Sequence, residues 1–163
     1  MLIKRIGFTI MALTILFSAG CGFKLQGSYS IPDELQTLSL SSQDKYSELT
    51  HLVRERLRLN SINLIEPNDK TPRLKLIKDS LDRTTLSLYP TGNVAEYELI
   101  YQVEFTISFP NQEAQLFQAI IRRDYLDDPR TSLAKSREMA LLVKEMRLQA
   151  ADKIIQTLAA FEQ

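Results

Sequence analysis

Cysteine and histidine each occur once in these 163 residues, as Cys21 and His51. A single cysteine excludes an internal disulfide, and together the two supply too few ligands for a zinc site. They also form no Ser-His or Cys-His couple for nucleophilic catalysis. His51 stands between Leu49 and Leu52 in a helical pattern, with Arg54 and Glu55 nearby, and reads as a surface side chain. Glycine is scarce at five residues, and Gly92 has no glycine beside it, so a phosphate-cradling loop is unsupported. Asp124, Asp127 and Asp128 are accounted for by turn formation and helix capping. The expectation is a protein with no cofactor, no metal and no enzymatic reaction.

An excess of charge is also missing. Twenty basic residues balance twenty acidic ones, which leaves no electrostatic footprint for nucleic acid. Internal repeats and low-complexity stretches are absent as well. The apolar run Ile6 to Phe17, interrupted by Gly7, Thr9 and Thr14, is shorter than the roughly 20 residues a membrane-spanning helix needs. Lys4 and Arg5 precede it and Ser18-Ala19-Gly20-Cys21 follows, the pattern of a bacterial export signal. The small-small-Gly-Cys ending resembles the lipobox of bacterial lipoproteins, which implies a lipid-modified Cys21. The alternative is a free or intermolecularly paired thiol, a reactive liability at a mature N-terminus. One acyl chain anchors a protein only marginally, whereas the several chains of a lipoprotein hold it firmly. Gly22 stands where lipoproteins retained in the inner membrane usually carry Asp, so the same resemblance implies the outer membrane.

Loss of residues 1–20 removes Lys4 and Arg5 and no acid, leaving 18 basic and 20 acidic residues and a net charge of −2. The remainder has the size of one ordinary domain. Residues 21–35, with Gly27 and Pro32, suit a tether, and residues 36–163 suit a single compact domain.

Within that domain Leu38-Ser39-Leu40 reads as a short strand, and the following serines and Asp44 are able to cap a helix. Leu49, Leu52, Val53 and Leu57 then recur at helical spacing, ending near Asn60. A strand is expected from Arg73 to Leu88, its phase muddled around Asp79 to Arg83, where a bulge is expected. Pro90-Thr91-Gly92-Asn93 has turn chemistry. Tyr97, Leu99, Tyr101, Val103, Phe105, Ile107 and Phe109 then fall on every second residue, giving a long strand with one dry face. Leu116 to Tyr125 is its hairpin partner. Asp128-Pro129 offers a helix start, and Leu142, Val143, Met146, Ala150, Ile154 and Leu158 trace the apolar stripe of a terminal helix. Two helices and a sheet, each with one apolar face, make an α+β two-layer sandwich: a mostly antiparallel four-stranded sheet packed against two amphipathic helices in the order β-α-β-β-β-α.

The basic residues Lys75, Lys78, Arg83, Arg122 and Arg123 fall on expected strands, and Lys135 follows Pro129 at an exposed helix start. Singly they are the solvated side of a half-buried sheet; as a set they are able to face an anionic ligand. The segments Cys21-Gly22-Phe23-Lys24-Leu25, Leu57-Arg58-Leu59-Asn60 and Ala95-Glu96-Tyr97, with Asp128-Pro129 through Leu133-Ala134-Lys135 to Val143-Lys144-Glu145-Met146, are similar in order and spacing to the LptE family of lipopolysaccharide-assembly lipoproteins. The resemblance implies an outer-membrane lipoprotein that plugs the β-barrel LptD, assists its assembly, and binds lipopolysaccharide while helping deliver it to the cell surface. It implies a ligand contact at Lys135. A second family position, basic in some relatives, is occupied here by Pro90, so Arg83 is the nearest candidate substitute, with Arg122 and Arg123 completing the candidate set. The alternative is a free-standing, periplasm-facing lipoprotein acting as a ligand-binding or envelope-scaffolding domain.

Overall fold

A computed structural model describes residues 29–128 and 131–161; Cys21, the Phe23-Lys24-Leu25 segment and Pro129 lie outside the described residues. After a single 3-10 turn at Asp33–Leu35 come β1 (Thr37–Ser42), α1 (Glu48–Leu59), β2 (Asn63–Leu64), β3 (Arg73–Leu88), β4 (Val94–Ser108), β5 (Gln115–Leu126) and α2 (Ser132–Ala159). The strands form one sheet of order β2-β1-β3-β4-β5, with both helices against one face. This is the α+β sandwich that the periodicities predict. The sheet has five strands rather than four, because Asn63 and Leu64 pair in parallel with Thr37 and Leu38 at the outer edge. β1 also runs parallel to β3, since α1 carries the chain across between them, whereas β3-β4-β5 is an antiparallel meander.

β4 is the core of the sheet. Leu99, Tyr101, Val103, Phe105 and Ile107 are buried under the helices, and burying each such side chain contributes about 1.5–3 kcal/mol. Intervening Glu98, Ile100, Gln102, Glu104 and Thr106 are half-buried on the other face. α1 covers the sheet with Leu49, Leu52, Val53 and Leu57. Its start is capped by Ser47, whose Oγ accepts from the Thr50 amide at 3.1 Å. α2 contributes Val143, Met146, Ala150, Ala151, Ile154, Ile155 and Leu158. Ion pairs of Arg56 with Asp152 at 2.8 Å and Arg147 with Glu48 at 2.6 Å link the two helices. The arm before β1 docks as well: Leu35 is buried, and the Tyr29 amide donates to Asn60 Oδ1 at 3.0 Å.

Two local expectations are corrected. The bulges in β3 flank the Asp79 to Arg83 stretch instead of falling within it: Leu76 faces Phe105 and Lys78 faces Glu104, so Ile77 is the extra residue, and Leu86 is another. An inserted residue reverses which side chains face which side. Leu74 and Leu76 point to the helices before Ile77, and Asp79, Leu81, Arg83 and Thr85 share the helix face after it, opposite Val103, Tyr101, Leu99 and Tyr97. The second correction concerns α2, which begins at Ser132 and not at Asp128-Pro129. Asp128 closes a turn first, its carbonyl accepting from the Thr131 amide at 3.1 Å.

The first bulge places Asp79, itself exposed, on the helix face of the sheet, where its Oδ2 accepts from the Tyr101 hydroxyl at 2.6 Å. The Arg147 guanidinium lies 5.9 Å from the centre of the same ring. Burial foremost, and then the Asp79 carboxylate, push the Tyr101 phenol well above its ordinary value of 10.0. A phenol whose folded-state pKa is raised stabilises the fold fully below the unfolded value and loses that contribution as pH climbs past it. Urea midpoints should therefore fall steadily above about pH 10. In Tyr101→Phe, which has no proton to lose, that alkaline decline should be shallower; an unchanged decline would remove Tyr101 as its source.

Candidate functional site

The long β3-β4 hairpin, the end of β5 and the start of α2 meet at one end of the sheet. Gly92, with φ of 84°, closes the hairpin turn as only a residue without Cβ does at ease, and its amide donates to the Tyr89 carbonyl at 2.8 Å. The Tyr89 hydroxyl then donates to the Asp127 carbonyl at 3.1 Å, and the Asp127 amide to the Ala95 carbonyl at 2.9 Å. These bonds tie the hairpin tip to the β5-α2 connection.

Tyr97 and Tyr125 are directly opposed across β4 and β5 at this end. Each carries a cation over its ring: Arg83 lies 5.6 Å from the centre of Tyr97, and Lys135 lies 5.2 Å from the centre of Tyr125. Such placement is favourable because the ring face is electronegative. Tyr125 is buried, and its hydroxyl donates to the Lys135 carbonyl at 3.0 Å, which pins the first turn of α2 to β5. Burial is the main cause that raises the Tyr125 phenol, with Asp127 adding to it, while Lys135 and Arg83 both act in the opposite sense. Each cation thus sits over one ring of the opposed tyrosine pair.

Lys135 is not the exposed lysine expected at a helix start. Its side chain is 17% exposed and its Nζ donates to Glu138 Oε2 at 2.8 Å. That hydrogen bond raises the ammonium pKa, burial working against it, so Lys135 stays charged. Arg83 is exposed. Of the other candidates, Arg123 lies on the helix side but is drawn to α2, donating to Gln149 Oε1 at 2.7 Å. Arg122 points to the opposite face and pairs with Glu98 at 2.9 Å. Arg83 and Lys135 thus come together, and Arg122 and Arg123 do not join them. Cys21, the expected lipidation site, lies outside the described residues.

Apolar side chains crowd the same end. Leu86 is half exposed, and Leu88, Leu126 and Leu133 are more than half exposed. A cation pair and exposed leucines at one end of the sheet suit an amphiphile with an anionic head. A separate cleft of about 610 Å³ lies near the end of α1, lined by Tyr29, Arg56, Asn60, Asp152 and Gln156 among others. Two of its charges, Arg56 and Asp152, are already paired with each other. Among the described residues no group of acids, histidine and cysteine is arranged to hold a metal ion.

Residues 35–158 match the model of the lipopolysaccharide-assembly family LptE. The chain belongs to the LptE family. Similar relatives include the LPS-assembly lipoprotein LptE of Yersinia enterocolitica, 37% identical over 94% of this chain and 75% of the relative. That of Pectobacterium atrosepticum is 33% identical over 94% of this chain and 85% of the relative. Among solved structures, the rare lipoprotein B from Shewanella oneidensis is 68% identical, with a TM-score of 0.72, over 76% of this chain and 94% of that one. Lipoprotein B from Nitrosomonas europaea, at 22% identity and a TM-score of 0.66 over 86% and 92%, shares the fold.

In this LptE-family chain the tyrosines are what sequence reasoning missed. Tyr97 stood in the alternating stripe and Tyr125 at a strand end, and no spacing rule pairs them before the β4-β5 register is known. Tyr125→Phe keeps the ring and removes only the bond to the Lys135 carbonyl. Urea denaturation should show a loss of about 0.5–1.5 kcal/mol, and amide exchange should rise selectively in the first turns of α2.

Proposed function

We propose that this protein is an outer-membrane lipoprotein, anchored through acylated Cys21, that assists lipopolysaccharide assembly as the partner and plug of the β-barrel LptD. Membership of the LptE family and the names of its relatives support this reading. The observation that carries the ligand role is the placement of Arg83 and Lys135 over the paired rings of Tyr97 and Tyr125. Lipopolysaccharide is a phosphorylated amphiphile. Lysine and arginine suit its phosphates, and the leucines at the same end of the sheet suit contact with apolar surface.

The role requires no reaction. Binding, support of a partner and passage of a lipid are served by a rigid sandwich with a charged tip. The near-neutral, mixed surface also suits the polar interior of a membrane barrel, as an LptD plug requires.

Tagged protein extracted gently from envelopes should bring down a large β-barrel, and mass spectrometry of the same material should find Cys21 acylated. A solitary protein with a bare Cys21 would reverse the proposal in favour of a free-standing binding or scaffolding domain. For the ligand site, Lys135→Asp should weaken lipopolysaccharide binding while circular dichroism stays native, because the substitution alters the tip of the molecule and leaves the core under α2 intact. Unchanged binding would reduce Lys135 to an ordinary surface residue.

A further inference from the structure

We infer that Glu138 is an internal counter-ion that trades places with a ligand phosphate at Lys135, so that the site releases its ligand as readily as it takes it. The inference rests on reading Arg83 and Lys135 as a headgroup site. In the ligand-free protein the Glu138 carboxylate sits 2.8 Å from the Lys135 ammonium, where a phosphate oxygen would sit. The two partners are covered unequally: the Lys135 side chain is 17% exposed and that of Glu138 is 54% exposed. Lys135 is held from beneath by the Tyr125 ring. Glu138, one helical turn further on, is therefore the partner free to swing out into solvent.

The other charged groups around Tyr125 do not take this part. Asp127 is half-buried and its backbone is fixed on both sides, by the Ala95 carbonyl and the Tyr89 hydroxyl. Arg83 is a cation and adds to the attraction for a phosphate. An arriving phosphate must displace the Glu138 carboxylate, which subtracts the strength of the resident pair from the affinity. When the phosphate leaves, the carboxylate returns, so Lys135 is not left bare in its covered position. A protein that passes a lipid on gains from such exchange, because a site that only grips retains its cargo.

The test uses full-length protein and purified lipopolysaccharide as probe, with binding measured for wild type, Glu138→Gln, Lys135→Gln, the double variant and Glu145→Gln. Glu145 is exposed on the same helix, beyond a Debye length of about 8 Å, so its loss changes net charge equally without freeing Lys135. Glu138→Gln should bind about two- to fivefold tighter, the range expected for removing an exposed pair's competition. The gain should vanish when Lys135→Gln is also present, and Glu145→Gln should not reproduce it. No gain, a gain that persists without Lys135, or an equal gain in Glu145→Gln would overturn the inference. If Lys135→Gln still binds less well than wild type, the headgroup site survives that failure; if it binds equally well, the headgroup site itself is refuted.

Discussion

The strict alternation of β4 is the constraint on which the rest of the molecule depends. Leu99, Tyr101, Val103, Phe105 and Ile107 all present to one side, and that side has to be covered. Because a strand's side chains alternate, only one face of the sheet is dry, so both helices are compelled to the same layer. β3 and β5 flank β4 through two antiparallel hairpins, and each inherits its facing from it. Phe105 also stacks on Phe117 across the β4-β5 pair, with ring centroids 5.7 Å apart.

A departure from that regularity makes the tip of the molecule what it is. Ile77, unpaired in the ladder, reverses the facing of the distal half of β3. Had the strand continued in its first phase, Asp79 and Arg83 would lie on the open face, away from Tyr101 and Tyr97. The extra residue instead sets Asp79 against a buried phenol and Arg83 against an exposed end of the tyrosine pair. The same bulge thus contributes to the core and to the candidate site. The outer part of β3, past the end of its pairing with β1 at Leu76, is an edge carrying Lys78, Asp79, Asp82 and Arg83, charges of the kind that discourage edge-to-edge pairing.

Charge is handled differently at the two ends of α2. Toward its C-terminal half, Arg147 and Asp152 pair with residues of α1 and join the two helices. Near its start Lys135 pairs within its own helix, three residues away. The first arrangement locks packed elements together; the second is local and opens without disturbing the core. A helix of 28 residues is about 42 Å long, and its early turns, with Leu133 and Leu141 exposed, are tied to β5 by the Tyr125 hydroxyl. That length lets one helix serve both ends of the domain.

The sequence alone determined the layers: the period-two stripe of β4 and the helical stripes at Leu49–Leu57 and Val143–Leu158 each specify one apolar face, and burial of those faces leaves few architectures. A helix start after Ser41, Ser42 and Asp44 and a turn at Gly92 were legible for a similar reason, since caps and turns are local chemistry, although the side chain that caps the helix is Ser47. Lys135 as a ligand contact was an expectation from family likeness alone. What tertiary structure decided was everything that depends on register. The bulge at Ile77, the opposition of Tyr97 and Tyr125, and the seating of Lys135 above a buried ring arise from contacts between segments 10 to 29 residues apart. Whether Arg83, Arg122 and Arg123 share a face cannot be read from their types or spacing, because one inserted residue reverses the answer.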